Sequence, residues 1–142
     1  MSLTDTVTIL RAGGEVITGV SQQPFASVVD AARHFGLRPR GDAFASVTQE
    51  EAFAVLRLVL HHDLAHGHEV MPEERASSLA DQFLNQFPTQ GTSYYTNGEF
   101  GRKTPGSADG PSWVPVTDAT FDTGVLVLSQ HSAGCLWVMD ED

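Results

Sequence analysis

Phe121-Asp122-Thr123-Gly124-Val125-Leu126-Val127-Leu128 and, after a short polar link, Gly134-Cys135-Leu136-Trp137-Val138-Met139-Asp140-Glu141-Asp142 decide the fold. Two apolar runs this close together read as paired antiparallel strands. Residues 125–128 are apolar at every position, the pattern of a central strand covered on both sides. The second run passes directly into three carboxylates, Asp140, Glu141 and Asp142. A packed strand is therefore expected to carry negative charge to the surface.

Working outward, Thr6-Val7-Thr8-Ile9-Leu10, then Gly13-Gly14, then Val16-Ile17-Thr18-Gly19-Val20 reads as an N-terminal hairpin. Its β-branched residues favour strands, and the paired glycines suit a tight turn. Phe25, Val28, Val29, Ala32 and Phe35 recur at helical spacing, and Gly36 is a natural stop. Thr48-Gln49-Glu50-Glu51 is a capping box opening a helix with Phe53, Leu56, Leu60 and Leu64 on one stripe, Val55 and Val59 beside it, and Gly67 as its end. Pro72 at a first helical position, followed by Glu73 and Glu74, opens another. Ala76, Leu79, Ala80, Phe83, Leu84 and Phe87 form its apolar face, and Pro88 stops it. Thr92-Ser93-Tyr94-Tyr95-Thr96 reads as a strand entering an Asn97-Gly98 turn. Residues 101–112 are a polar, Gly/Pro-rich loop, and Trp113-Val114-Pro115-Val116 reads as a short strand in which Pro115 marks an edge or a bulge. The expected fold is α+β, a single domain over residues 1–142. An antiparallel sheet from the N-terminal hairpin and the C-terminal strands is covered on one face by two to three central helices.

The formal net charge is −10, and Lys103 is the one lysine. From Thr104 onward there are six acidic residues (Asp109, Asp118, Asp122, Asp140, Glu141, Asp142) and no Lys or Arg. Such a field repels nucleic acid and anionic membrane and attracts a basic partner. Cys135 is the only cysteine, which excludes an internal disulfide and fits a reducing compartment. Its place in an apolar run makes it a buried thiol rather than a nucleophile. No basic-then-apolar leader pattern and no apolar stretch of membrane-spanning length is present, so a soluble, cytoplasmic protein is expected.

Three clusters are candidates for chemistry. His61-His62-Asp63-Leu64-Ala65-His66-Gly67-His68-Glu69 would place His62 and His66 on one face if the helix ran through His66. His68, Asp63 or Glu69 could then complete a metal site for a small metal-dependent hydrolase. The competing reading puts these histidines in a last helical turn, where cationic groups complement the backbone dipole. Asp118 and Asp122, in Thr117-Asp118-Ala119-Thr120-Phe121-Asp122-Thr123-Gly124, form a cation site or an acid/base pair in a loop before a strand, or else a tight loop bonding its own backbone. Asp122-Thr123-Gly124 also matches the aspartic-protease triplet, in a chain too small for that two-lobed enzyme. Residues 29–40 have the helix, glycine turn and arginines of a helix-turn-helix, but Pro39, Gly41 and Asp42 leave no recognition helix. No P-loop, G-x-G-x-x-G, C-x-x-C or G-x-S-x-G appears, and no cofactor and no enzyme activity is expected.

His61-His62-Asp63-Leu64-Ala65, Met71-Pro72, Tyr94-Tyr95-Thr96-Asn97-Gly98, Phe121-Asp122-Thr123-Gly124-Val125 and the terminal Leu136-Trp137-Val138-Met139-Asp140-Glu141-Asp142 together resemble small, acidic bacterial immunity proteins. The resemblance covers roughly the last two-thirds of the chain. It implies a cytoplasmic protein that binds and neutralises a cognate protein toxin. The acidic charge independently fits a basic toxin such as a nuclease, whose phosphate-binding cleft negative groups can occupy. The electrostatic contacts expected on this reading are Asp140, Glu141, Asp142, Asp118, Asp109 and Glu99.

Overall fold

The computed structural model describes residues 2–11, 14–100 and 112–141. Ten elements follow in order: α1 (Leu3–Leu10), β1 (Glu15–Ser21), α2 (Val28–His34), a short 3-10 turn (Gly41–Ala43), β2 (Ala45–Val47), α3 (Gln49–His61), α4 (Glu73–Leu84), β3 (Ser93–Thr96), β4 (Phe121–Leu128) and β5 (Ala133–Asp140). The strands form one five-stranded antiparallel sheet in the order β1-β5-β4-β3-β2. The α+β architecture with C-terminal central strands is as expected. The turn at Gly13 and the loop over residues 101–111 lie outside the described residues.

β4 and β5 pair over their whole length, from Phe121↔Asp140 to Leu128↔Ala133. Ser129 and Ser132 close the link, the Ser129 amide donating to the Ser132 carbonyl at 2.9 Å. Alternation along these strands divides two cores. Val125, Val127, Leu136 and Val138 meet α1, α3 and α4 through Val7, Leu56, Leu60, Leu79 and Phe83. Leu126, Cys135 and Trp137 face the other way, onto Ala32 of α2 and Leu37, Ala43, Phe44 and Val116. The helices are therefore not all on one side, since α2 and its flanking loops cover the second face. Two covered faces explain why these strands are apolar at successive positions. Each fully buried aliphatic side chain contributes about 1.5–3 kcal/mol. Gly124 lies opposite Trp137, where any Cβ would overlap the β5 backbone. The close approach of the two central strands thus requires glycine there.

Caps account for the helices. The Thr48 hydroxyl accepts from the Glu51 amide at 3.1 Å, and the Glu51 carboxylate accepts from the Thr48 amide at 3.3 Å, the expected reciprocal box. Ser27 caps α2, which ends at Gly36 with φ +86°. Pro72 is the cap residue of α4 rather than its first helical residue, and the apolar face from Ala76 to Phe87 is buried.

Other expectations are corrected. Thr6 to Leu10 is not a strand, and the N-terminal hairpin does not form. Ser2 accepts from the Asp5 amide at 3.1 Å and starts a helix, while the Thr6 and Thr8 hydroxyls donate to the carbonyls four residues back. The Ser2 cap outweighs β-branched propensity here, and the two threonine hydroxyls are satisfied within the helix. β1 takes β5 as its neighbour instead, in an unbroken register from Glu15↔Met139 to Ser21↔Ala133. Asn97-Gly98 is not a hairpin turn: the Asn97 side chain is buried, and Gly98 bridges Trp113, all that forms of the strand expected at residues 113–116. α3 ends at His61, several residues before Gly67. Among the described residues, no helix is long and apolar enough to cross a membrane.

Cys135 is fully buried and burial alone pushes its thiol far above the ordinary range. Folded protein should therefore resist a thiol reagent and become labelled only on unfolding. Rapid stoichiometric labelling of native protein, read by mass, would contradict this packing.

Candidate functional site

The terminal acidic run is split by the fold. Asp140 is buried, with only 3% exposure, and Arg11 is completely enclosed beside it. Nη1 and Nη2 of Arg11 donate to the two Asp140 carboxylate oxygens at 3.1 and 2.6 Å. Arg11 Nε donates to the Val59 carbonyl at 2.6 Å, Nη2 reaches the His62 carbonyl at 3.4 Å, and the Leu64 amide donates to Asp140 at 2.8 Å. The guanidinium thereby serves the orphan carbonyls at the C-terminus of α3, where a cation is favoured. Gly14 lies where a Cβ would overlap the Asp140 side chain. Asp140 is thus an internal anchor, and its expected role as a surface contact is corrected: its charge is neutralised inside the protein. Removing one member of such a pair costs about 3–5 kcal/mol because the other charge is stranded. Arg11→Met and Asp140→Leu should each lower stability by about that amount in urea unfolding, whereas the double variant should cost less than the sum. Additive losses would contradict the coupling.

Asp122 is the second buried carboxylate. It belongs to β4 rather than to a loop, and its side chain points into the opposite face. It accepts from Asn97 Nδ2 at 3.0 Å, Trp137 Nε1 at 3.1 Å, the Val116 and Thr117 amides at 3.2 Å and the Thr117 hydroxyl at 2.9 Å. Thr123 donates to Asn97 Oδ1 at 2.7 Å, completing a network that locks β4 to the loop beside it. Asp118 is exposed and ion-paired with Arg38, so Asp118 and Asp122 do not form an acid pair.

The histidine segment is a closed loop. Val70 donates to the His61 carbonyl at 2.7 Å and Asp63 to the His68 carbonyl at 2.9 Å, while the Asp63 carboxylate accepts from the His66 and His68 amides at 2.6 and 2.8 Å. Because α3 ends at His61, His62 and His66 do not share a helical face, and the geometry expected for the hydrolase alternative is corrected. Among the described residues no three His, Cys, Asp or Glu side chains are grouped to hold a metal. His66 and His68 are exposed, with rings stacked 5.5 Å apart, and His61 Nδ1 lies 2.7 Å from the Met71 carbonyl. Partial burial pushes the Asp63 carboxyl up, but the His66 and His68 amides and imidazoles outweigh it and hold the group below its ordinary 3.8. A lowered value means that the stabilisation is complete above 3.8 and fades as pH falls through the folded value. The His66 and His68 amide resonances should therefore share a transition below that ordinary value, and Asp63→Asn should abolish that shared transition.

Exposed charge is dominated by carboxylates. Of the six described arginines, five engage the chain's own acids: Arg11–Asp140, Arg33–Asp30, Arg38–Asp118, Arg40–Asp42 and Arg57–Glu73. Asp5, Glu15, Glu50, Glu69, Glu74, Asp81 and Glu141 are exposed outside those pairs. Two acidic surfaces result. Asp118 and Glu141 come together with Glu15 around a recess of about 330 Å³ also lined by Gly14, Ala119 and Met139. Glu141 is held by Thr120, whose hydroxyl donates at 2.5 Å. The second, between α3 and α4, is a groove of about 260 Å³ with Glu50, Phe53, Asp81 and Leu84, continuous with Glu73 and Glu74 along α4. Glu99 lies elsewhere and accepts from the Ser112 amide and hydroxyl at 3.1 and 2.6 Å. Asp109 and Asp142 lie outside the described residues. Sequence reading missed Glu15 and the α3–α4 surface, although Glu73, Glu74 and Asp81 recur at the spacing of one helix face. It also missed Arg11, whose only signal was a lone cation after an apolar run.

No family model, curated protein or solved structure matches the chain.

Proposed function

We propose that this is an immunity protein, one that binds a basic bacterial toxin in the cytoplasm and neutralises it by covering its active site, with no turnover of its own. The observation that carries the reading is the internal engagement of five of the six described arginines, which leaves the exposed charge overwhelmingly negative. An unbalanced field of this kind attracts a basic surface from a distance and raises the rate of encounter. The recess with Glu15, Asp118 and Glu141 supplies a concave acidic contact where lysine or arginine side chains can seat. Asp118, already paired with Arg38, contributes less than the other two.

The test is co-expression with the product of the adjacent gene, scored by growth and by complex formation. Glu15→Gln combined with Glu141→Gln should leave melting unchanged, slow association more than it speeds dissociation, and flatten the salt dependence of the on-rate. Exposed charges act over only about 8 Å at physiological ionic strength, which is why added salt should mimic the substitution. A harmless neighbour that forms no complex would sink the reading.

A further inference from the structure

We infer that β1 is the docking edge of the protein, and that it takes an extended, basic strand of the protein partner as a sixth strand of the sheet. This rests on the basic-partner reading and goes further by assigning the contact to backbone pairing at one edge. The two edges of the sheet are unequal. β2 is three residues long, and so offers little backbone to pair. β1 is seven residues long, pairs on one side only, and runs against β5 without a bulge. Alternate residues of an antiparallel edge strand direct both N–H and C=O outward. Among the described residues, no backbone hydrogen bond joins β1 to anything other than β5.

The devices that usually blunt an edge are missing from it. Glu-Val-Ile-Thr-Gly-Val-Ser contains no lysine and no proline, and its one charge, Glu15, stands at its end. Val20, at 37% exposure, is the exposed large hydrophobic side chain among the described residues, and it lies on this strand. Side chains directly opposite each other on neighbouring strands share a face. Glu15 is opposite Met139, and both line the acidic recess. A residue of the added strand facing Glu15 would therefore project over the same recess, toward Glu141. That position selects lysine or arginine. A second copy of this chain is a poor occupant, since each copy carries a net charge of −10.

The probe is a short synthetic peptide of alternating valine and threonine flanked by lysines, with a glutamate-flanked twin and a form N-methylated at alternate amides. Hydrogen exchange of the outward-facing β1 amides, those not bonded to β5, is followed in the intact protein. The lysine peptide should protect the β1 amides. The glutamate twin and the N-methylated form should not. Glu15→Gln with Glu141→Gln should weaken binding about fivefold. Val20→Lys, an exposed change that keeps the fold, should weaken it by a similar factor. Protection on α3 and α4 in place of β1 overturns the edge assignment and leaves the basic-partner reading standing. So does failure of the lysine peptide to protect β1 at about 1 mM while the adjacent gene product still binds. Equal binding of the glutamate twin overturns the charge selection and counts against both. A dimer in sedimentation, with the outward-facing β1 amides already protected, assigns the edge to a second copy and overturns the proposal.

Discussion

The buried ion pair of Arg11 with Asp140 ties three distant parts of the chain together. It joins the residue after α1 to the last position of β5, and through the Val59 and His62 carbonyls it fixes the end of α3. Taking two charges out of water costs several kcal/mol each, so the pair holds only because further hydrogen bonds satisfy both groups. The Leu64 amide fills one remaining site on the carboxylate and so positions the start of the histidine loop. Without this contact α1 would be tied to the sheet by little more than Val7 and its neighbours. The same contact withdraws one acid from the surface and decides which of the terminal carboxylates faces solvent.

Asp122 is the counterpart on the opposite face of the sheet. Phe121↔Asp140 and Asp122↔Met139 are consecutive pairs, so the two buried carboxylates stand at one end of the central hairpin and point in opposite directions. One is held by a cation, the other by neutral donors from Asn97, Trp137, Val116 and Thr117. Both demand a definite set of neighbours, because an unmatched charge in either place would be severely unfavourable. A one-residue slip between β4 and β5 would exchange the two faces and strand both groups. The apolar residues supply most of the burial energy, and the two aspartates supply the register.

Legibility in the sequence follows the physics of each segment. β4, β5, α3 and α4 were readable because their signals are local: consecutive apolar residues, a capping box, and a helical stripe ending before Pro88. The opening segment was misread because Thr6, Val7 and Thr8 favour strands by type, while Ser2 and Asp5 favour a helix by position. β2 was missed because its three residues carry no period. The acidic character was legible and its distribution was not. Asp140, Glu141 and Asp142 look equivalent in a string of letters, yet strand alternation turns Asp140 inward beside Arg11 and leaves Glu141 outside. Pairing between positions 11 and 140 leaves no trace in composition or spacing.

Arg11 and Asp140 lie 129 residues apart, and β1 has no sheet neighbour until β5 exists. During translation at about 5–20 residues per second, Arg11 waits roughly 6–26 s before its carboxylate is synthesised. Throughout that interval both helical layers lack the surface they pack on, and Val16, Ile17 and Val20 are available to the same strand of another nascent chain. Closure of the sheet is thus gated by synthesis of the β4–β5 hairpin, on which β1 depends for its pairing. The segment that completes the sheet also brings six of the chain's 18 carboxylates and no Lys or Arg, so repulsion between copies strengthens as each chain closes its own sheet.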